Sequence, residues 1–311
     1  MKYIPLGSDI LSASEIALGC ARMSTLDIQG AVNIISCALD EGINLFDHAD
    51  AYGNGLSEET FASAYKKLGY SRDKVVLQSK CTIRNLDLPT QYYDHSKNHI
   101  INSVNESLQR LKTDYLDILL LHRPDPLTEP EEVAEAFDLL KRSGKVRYFG
   151  VSNHNRYQMQ LLNSYLSEPL AVNQMQFNLT HTPMITAGMN VNMVTDESVM
   201  RDAGTIEYCR LHHISLQAWA PFQYGLLKGN YLGNYEMYPE LNQKLDELSD
   251  KYKVPVSAIA AAWILRHPAH FQVLVGSMTP SHLKDACKAS GIEISKVEWF
   301  ELYKAAGNPL P

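Results

Sequence analysis

Short apolar runs recur along the chain and alternate with stretches whose apolar residues return every three or four positions. The runs are IALGCA (16–21), INLFD (43–47), VVLQSK (75–80), YLDILLLH (115–122), VRYFGVS (146–152), LAVNQMQ (170–176), ISLQAWA (214–220) and VLVGS (273–277). Each is too short and too continuously apolar for a strand with one face in water. Buried parallel strands joined by crossover helices have this pattern. Between them, Ile28, Val32, Ile35 and Leu39 share one helical face, and Ile100, Ile101, Val104, Leu108 and Leu111 share another. The stretch 129–144 begins acidic with Pro130 in its first turn and ends with Lys141, Arg142 and Gly144, as a helix aligned with its own dipole does.

Eight β-then-α units in 311 residues predict a single α/β domain over 1–311, a closed (β/α)8 TIM barrel. Residues 1–15 are expected to cap the barrel bottom. The competing doubly wound sheet needs GxGxxG after its first strand. Neither Gly19-Cys20-Ala21 nor Gly53-Asn54-Gly55 provides it. Two connections are long, 177–199 after strand six and 221–240 after strand seven. In a barrel both project from the C-terminal face, where sites are built.

The bulk numbers narrow the function without naming it. Net charge is -7 and no block of like charges occurs, which argues against nucleic-acid and membrane-surface partners. Five isolated cysteines with no CxxC pair fit a reducing compartment. The N-terminus lacks an apolar signal core and no long apolar run occurs, so a cytoplasmic location is expected. Asp94, His95 and His99 have helical spacing but lack the HExxH glutamate. They read as a helix start, and no metal site is expected. His212 and His213 read as the end of a helix before strand seven.

The chemistry gathers at the strand ends. Strand two ends in Asp47, with His48, Asp50 and Tyr52 following. Strand three ends in Lys80, strand four in His122 and strand five in Ser152-Asn153. Strand six carries Asn173, Gln174 and Gln176, and strand seven carries Trp219. Singly, each of these has a structural explanation. A carboxylate, a phenol, an amine and an imidazole do not gather at one barrel mouth merely for packing. A free tyrosine has a pKa of about 10, and a neighbouring ammonium pulls it down. Lys80 is the candidate ammonium and Asp47 the group that keeps it charged. A strand-end lysine also permits Schiff-base chemistry, although Asp47 works against a neutral amine.

The ordered motifs FDHADAYGNGLSEETFASAYKK, VVLQSK, LDILLLHRPD, KVRYFGVSN and VNQMQFN resemble the aldo/keto reductase superfamily, most closely its uncharacterised bacterial monomeric branch. The resemblance runs from about residue 16 to about residue 290. It implies NAD(P)H-dependent reduction of aldehydes or ketones, with Tyr52 as proton donor and Asp47, Lys80 and His122 as its catalytic companions. It further implies that Ser152, Asn153 and Gln174 bind the nicotinamide amide and that Trp219 stacks on its ring. The pyrophosphate would lie along Ala220, Pro221, Phe222, Gly225, Leu226 and Lys228. Gly19, Gly276, Ser277 and His282 complete the cofactor set. NADPH is the expected cofactor, with NADH as the alternative, because Gly276 and His282 stand where NADPH-preferring relatives often carry Lys or Arg. Some members of the family serve as cofactor-sensing channel subunits, a regulatory alternative. His48, where many relatives have Ser or Thr, is expected to pack or support from behind. Asp50 is read as a loop residue, and Arg123 is expected to turn away into an ion pair with Asp125. Tyr224 and Tyr235 suggest an apolar or aromatic aldehyde or ketone as substrate, and with no long apolar helix face left unexplained a monomer is expected.

Overall fold

The computed structural model describes residues 1–8, 11–84 and 90–311. Eight strands form a closed barrel: β1 (Ile16–Gly19), β2 (Leu45–Asp47), β3 (Val76–Cys81), β4 (Leu116–Leu121), β5 (Val146–Ser152), β6 (Val172–Gln176), β7 (Ser215–Trp219) and β8 (Gln272–Val275). They are parallel and pair in chain order, and β8 pairs with β1 to close the ring. The expected (β/α)8 barrel is therefore the observed one, with each strand inside its predicted run or within one residue of it.

The crossover helices begin and end where their sequences direct. Helix α1 (Ile28–Asp40) is capped by Asp27, whose carboxylate accepts from the Gly30 amide at 2.7 Å. Helix α2 (Leu56–Leu68) stops at Gly69, which sits in the left-handed region at φ 72°. Helix α3 (Lys97–Leu111) starts from the Ser96 cap, and α4 (Pro130–Arg142) places Glu131 and Glu132 at one end and Lys141 and Arg142 at the other. The connection after β6 holds a short helix, Pro183–Met189. The one after β7 holds a small hairpin, Gln223–Tyr224 against Gly229–Asn230.

Because side chains alternate along a strand, every second residue points into the barrel. The lower interior is apolar: Ala17, Leu45, Val76, Ile118, Leu120, Ala171, Val172 and Leu274 pack together. Leu6 and Ala13 of an N-terminal hairpin, Tyr3–Leu6 against Leu11–Ser14, join this cluster from the bottom. One alternation higher, the inward positions on β2, β3 and β6 are Asp47, Gln78 and Gln174, with Lys80 above Gln78, and β7 adds Gln217; on β8 the glutamine, Gln272, lies below Leu274, and all six are buried. Gln272 apart, the barrel interior thus changes from apolar to polar towards its C-terminal mouth.

Gly150 on β5 marks how tightly the interior is packed. A Cβ there would lie 2.5 Å from the Val172 carbonyl oxygen and 2.7 Å from Leu120 Cδ2. Gly150→Ala should destabilise the fold by about 1–3 kcal/mol through overpacking. Urea unfolding reads this as a lowered midpoint at an unchanged slope, and an unmoved midpoint would show that the layer can relax.

Candidate active site

Asp47 is the last residue of β2 and points inward. After it the chain turns sharply. Tyr52–Gly55 forms a single helical turn in which Gly53 (φ 56°) and Asn54 (φ 54°) are left-handed, and Gly55 follows at φ 86°. A side chain at either glycine would be strained, and a Cβ on Gly53 would meet Ser24 Oγ at 2.5 Å. This turn brings Tyr52 back over the barrel mouth.

Lys80 rises from β3 to meet it. Its Nζ donates to both carboxylate oxygens of Asp47 at 2.7 Å, to the His48 carbonyl at 2.8 Å and to Tyr52 Oη at 3.1 Å. Both members of the ion pair are almost fully buried. Burial alone would lower the Lys80 pKa, but Asp47 and then Tyr52 outweigh it, and the net direction is up. Lys80 is therefore an ammonium throughout the physiological range. Removing either partner of such a pair strands a buried charge and costs about 3–5 kcal/mol.

His122 follows β4. Its amide is tied to the Cys81 carbonyl at 2.9 Å, and its ring meets Tyr52 edge-on with centroids 5.7 Å apart. Burial first, then the Lys80 and Arg123 charges, hold its pKa well below the usual histidine value. The ring is a neutral imidazole. The buried Nδ1 has no partner among the described residues.

Tyr52 departs from the simple expectation. Burial raises its pKa and Asp47 adds to this, while Lys80 pulls it down. The net direction is upward, not below the ordinary tyrosine value. The ammonium has the predicted sign, but desolvation of the phenolate is the larger effect.

The other strand ends meet beside this group. Ser152 Oγ donates to the Gln174 carbonyl at 2.9 Å, and Asn153, at φ 60°, donates to Ser152 Oγ at 2.8 Å. Trp219 Nε1 donates to Asn153 Oδ1 at 3.1 Å. Gln174 gives both Nε2 hydrogens inward, to Asp47 and Gln217, at 3.0 Å each. Its Oε1 is the atom left for a ligand. The segment after β7 is held by side chains that sequence reasoning left unassigned. Gln176 donates to the Gly225 carbonyl at 2.8 Å, and Asn178 to the carbonyls of Ala220 (2.8 Å) and Gln223 (2.9 Å). Pro221 accepts from Tyr231, Phe222 packs on the core, Leu226 lies on the cavity wall and the Lys228 stem crosses Gly225. Gly19 and Gly276 adjoin at the ends of β1 and β8, and Ser277 lies 3.4 Å from His282 Nδ1. Arg22 was also missed. Its guanidinium clasps the Gly276 carbonyl at 2.7 and 3.2 Å, and its only signal in the sequence is a cation three residues beyond the first strand end.

His48 packs, as expected: its ring is buried edge-on to Phe61 with neither nitrogen partnered among the described residues, and its pKa is pushed down to about 3 by burial and Lys80. What His48 offers the site is its carbonyl oxygen. Arg123 makes no ion pair with Asp125. Its guanidinium lies 5.7 Å over the Trp219 ring, and Asp125 instead caps its own turn through the Leu127 amide. Arg123, Asn153, Gln176, His181, Arg201 and Trp219 line a cavity of about 430 Å³. Tyr224 and Tyr235 are not on it. Tyr224 packs on Tyr238, and Tyr235 bonds Asp246 at 2.5 Å on the outer surface. Among the described residues no group of three His, Cys, Asp or Glu is placed to hold a metal ion.

The aldo/keto reductase family profile matches residues 15–306. The chain belongs to the aldo/keto reductase family. It is similar to the uncharacterised oxidoreductase YcsN of Bacillus subtilis, 34% identical over 98% of both chains. It is also similar to a 6-dehydroglucose reductase of Agrobacterium fabrum, 32% identical over 96% of both. Among solved structures, an aldo-keto reductase from Klebsiella pneumoniae in complex with NADPH superimposes with a TM-score of 0.77 at 26% identity, covering 100% of this chain and 96% of that one. A nicotinamide cofactor goes with the family. The donors and acceptors at Ser152, Asn153 and Gln174, the Trp219 indole and a cavity of this size suit such a group.

Behind the tyrosine, the chain carries a further carboxyl, Asp50, half-buried overall but with its Oδ1 out of solvent and without a partner among the described residues. Burial first, then Glu58, push Asp50 up to about 7 against the pull of Arg110. An unfolded chain holds an Asp near 3.9. The folded state therefore keeps its proton longer, and this contribution to stability is full below about pH 4 and fades as pH rises towards 7. Asp50→Asn should abolish that loss, so that its stability relative to wild type improves from pH 4 to pH 8. Urea midpoints of both proteins across this range measure it, and parallel curves would contradict an Asp50 that keeps its proton.

Proposed function

We propose that the chain is an NADPH-dependent carbonyl reductase that uses Tyr52 as its proton donor. The observation that carries this reading is Lys80 Nζ, which touches Asp47 on one side and Tyr52 Oη on the other inside a buried barrel mouth. When bound, the nicotinamide supplies a hydride, chemistry that belongs to the cofactor. The protein supplies the rest. Tyr52 gives its phenolic proton to the carbonyl oxygen, and Lys80 offsets part of the cost of the phenolate left behind. Asp47 holds Lys80 charged and aimed. His122, a neutral imidazole, donates a hydrogen bond to the same oxygen, which steadies the developing alkoxide.

Ser152, Asn153 and the Gln174 oxygen would hold the nicotinamide amide, and Trp219 would lie along its ring. The Klebsiella relative binds NADPH, and Arg22, Ser277 and His282 gather polar groups at the β1 and β8 ends, which supports NADPH here.

The cavity wall is mixed: Arg123, Arg201, His181, Gln176 and Asn153 stand beside Met175, Met184, Trp219 and Leu226, and the two guanidinium groups favour a carbonyl compound that also carries hydroxyls over a purely aromatic one. The name of the Agrobacterium relative, a 6-dehydroglucose reductase, agrees with this.

One panel tests the proposal. NADPH and NADH consumption is followed with hydroxylated and aromatic carbonyl compounds of matched size. Turnover should favour NADPH and the hydroxylated set. Tyr52→Phe should lower kcat at least 100-fold, at the upper part of the range for a lost general acid, while NADPH still quenches protein fluorescence. Trp219→Ala should weaken that quenching. A Tyr52→Phe enzyme with wild-type kcat would remove the proton-donor assignment.

A further inference from the structure

Beneath Asp47 the barrel contains four glutamines from four strands: Gln78 on β3, Gln174 on β6, Gln217 on β7 and Gln272 on β8. All are buried. Barrel interiors are ordinarily filled by branched apolar residues, so amides here call for an explanation. Their bonds form one connected path. Gln78 Nε2 donates to Asp47 Oδ1 at 2.6 Å and to Gln217 Oε1 at 2.9 Å. Gln174 Nε2 donates to the same two oxygens. Gln217 Nε2 donates to Gln78 Oε1 at 3.0 Å and to Gln272 Oε1 at 2.8 Å. Gln272 Nε2 donates at 2.6 Å to the carbonyl of Ser14, in the N-terminal hairpin at the barrel bottom.

The amide orientations are dictated from both ends. An ionised carboxylate can only accept, so Gln78 and Gln174 must present nitrogen to Asp47. A backbone carbonyl can only accept, so Gln272 must present nitrogen to Ser14. Gln217 lies between them. Its oxygen takes two hydrogen bonds and its nitrogen gives two, which exhausts its capacity. A flipped Gln217 would set nitrogen against nitrogen at Gln78 and Gln174.

We propose that Gln217 is a positioning residue for the proton donor: it locks the Gln78 and Gln174 amides onto Asp47 Oδ1, and so sets how the carboxylate shares Lys80 with Tyr52. This inference rests on the reductase reading above. Gln217 touches neither Lys80 nor Tyr52. The positive ends of two amides on Asp47 weaken the field the carboxylate exerts at the phenol, and they leave Lys80 Nζ free to reach Tyr52 at 3.1 Å. The ionisable groups facing Tyr52 are Lys80 from β3, Asp47 from β2, Cys20 after β1 and His122 after β4. Without the hub, Gln78 and Gln174 are free to turn away, Asp47 draws Lys80 more strongly, and the phenolate becomes harder to form.

The test uses the full chain with NADP+ and an alcohol substrate, and reads kcat/KM for oxidation against pH. Oxidation needs Tyr52 as phenolate, so the rate rises with pH and this ascending limb reports on that residue. Gln217→Met, of similar length and with no hydrogen-bonding group, should move the limb upward by about one pH unit, a tenfold loss at a fixed pH below it. Gln174 also faces the nicotinamide amide in the reading above, so NADPH affinity measured by fluorescence should fall too; the displaced limb, which a weaker hold on the cofactor alone would not produce, is what reads the positioning role. Gln217→Leu removes the same hydrogen-bonding groups with a shorter side chain. It should shift the limb in the same direction, and it stands in if Gln217→Met does not fold. A folded variant of either kind with the wild-type limb, even at a lower melting temperature, would mean that the glutamines only fill the barrel. Activity surviving in Tyr52→Phe would instead dismiss the reductase reading itself, so the two failures are separable.

Discussion

A lysine and an aspartate buried against each other at the mouth of the barrel are the constraint on which the site depends. Lys80 and Asp47 are almost without solvent, at 2.7 Å contact. Each ion gives up several kcal/mol of hydration, which is recovered only if nearly every proton and lone pair finds a partner. The structure meets that condition from all sides. The His48 carbonyl and Tyr52 Oη take the remaining Lys80 contacts, and the Gln78 and Gln174 amides cover Asp47. The turn through Gly53 and Gly55, the inward β3 positions and the polar upper layer of the barrel all follow from keeping this pair satisfied. The same contacts give Tyr52 a cationic neighbour, so the needs of the fold and the chemistry proposed for it coincide.

The path from sequence to site runs through the period-two alternation of strands. Leu45 and Asp47 face inward with Phe46 outward, and Val76, Gln78 and Lys80 face inward with Leu77 and Ser79 outward. Ser79 turns out to Glu58, which Arg110 neutralises at 2.7 Å, so the outward polar residues have their own buried support. The barrel was legible because strands covered on both faces leave short apolar runs that few other structures require. The four strand-end residues were legible because Asp47, Lys80 and His122 interrupt such runs where a merely structural strand would stay apolar, and because Tyr52 follows within one turn.

What was not legible depended on pairings across the barrel. Gln78 and Gln217 are 139 residues apart, and nothing in either run signals that their amides meet. The direction of Arg123 was misjudged because Asp125 is the nearer anion in sequence, while the Trp219 ring is nearer in space. The Tyr52 balance was misjudged for a related reason: Lys80 is visible as a charge, but the extent of phenol desolvation appears only in three dimensions. Tyr224 and Tyr235 drew attention as aromatics on a long loop, yet one packs inward on Tyr238 and the other donates to Asp246 on the flank of an outer helix. The polar groups on the cavity wall, Arg123, His181 and Arg201, come from two connections, the one after β4 and the one after β6.

The central claim is that Lys80 makes the Tyr52 phenolate less costly than burial alone would allow. The direct measurement is the pKa of Tyr52 itself, followed by NMR of protein labelled with 13C at the tyrosine ring carbon bearing the hydroxyl, with its signal assigned by its loss in Tyr52→Phe. In Lys80→Met, which leaves Asp47 without its counter-ion, Tyr52 should titrate at distinctly higher pH than in the wild type. Equal pKa values in the two proteins, with both folded, would contradict the account.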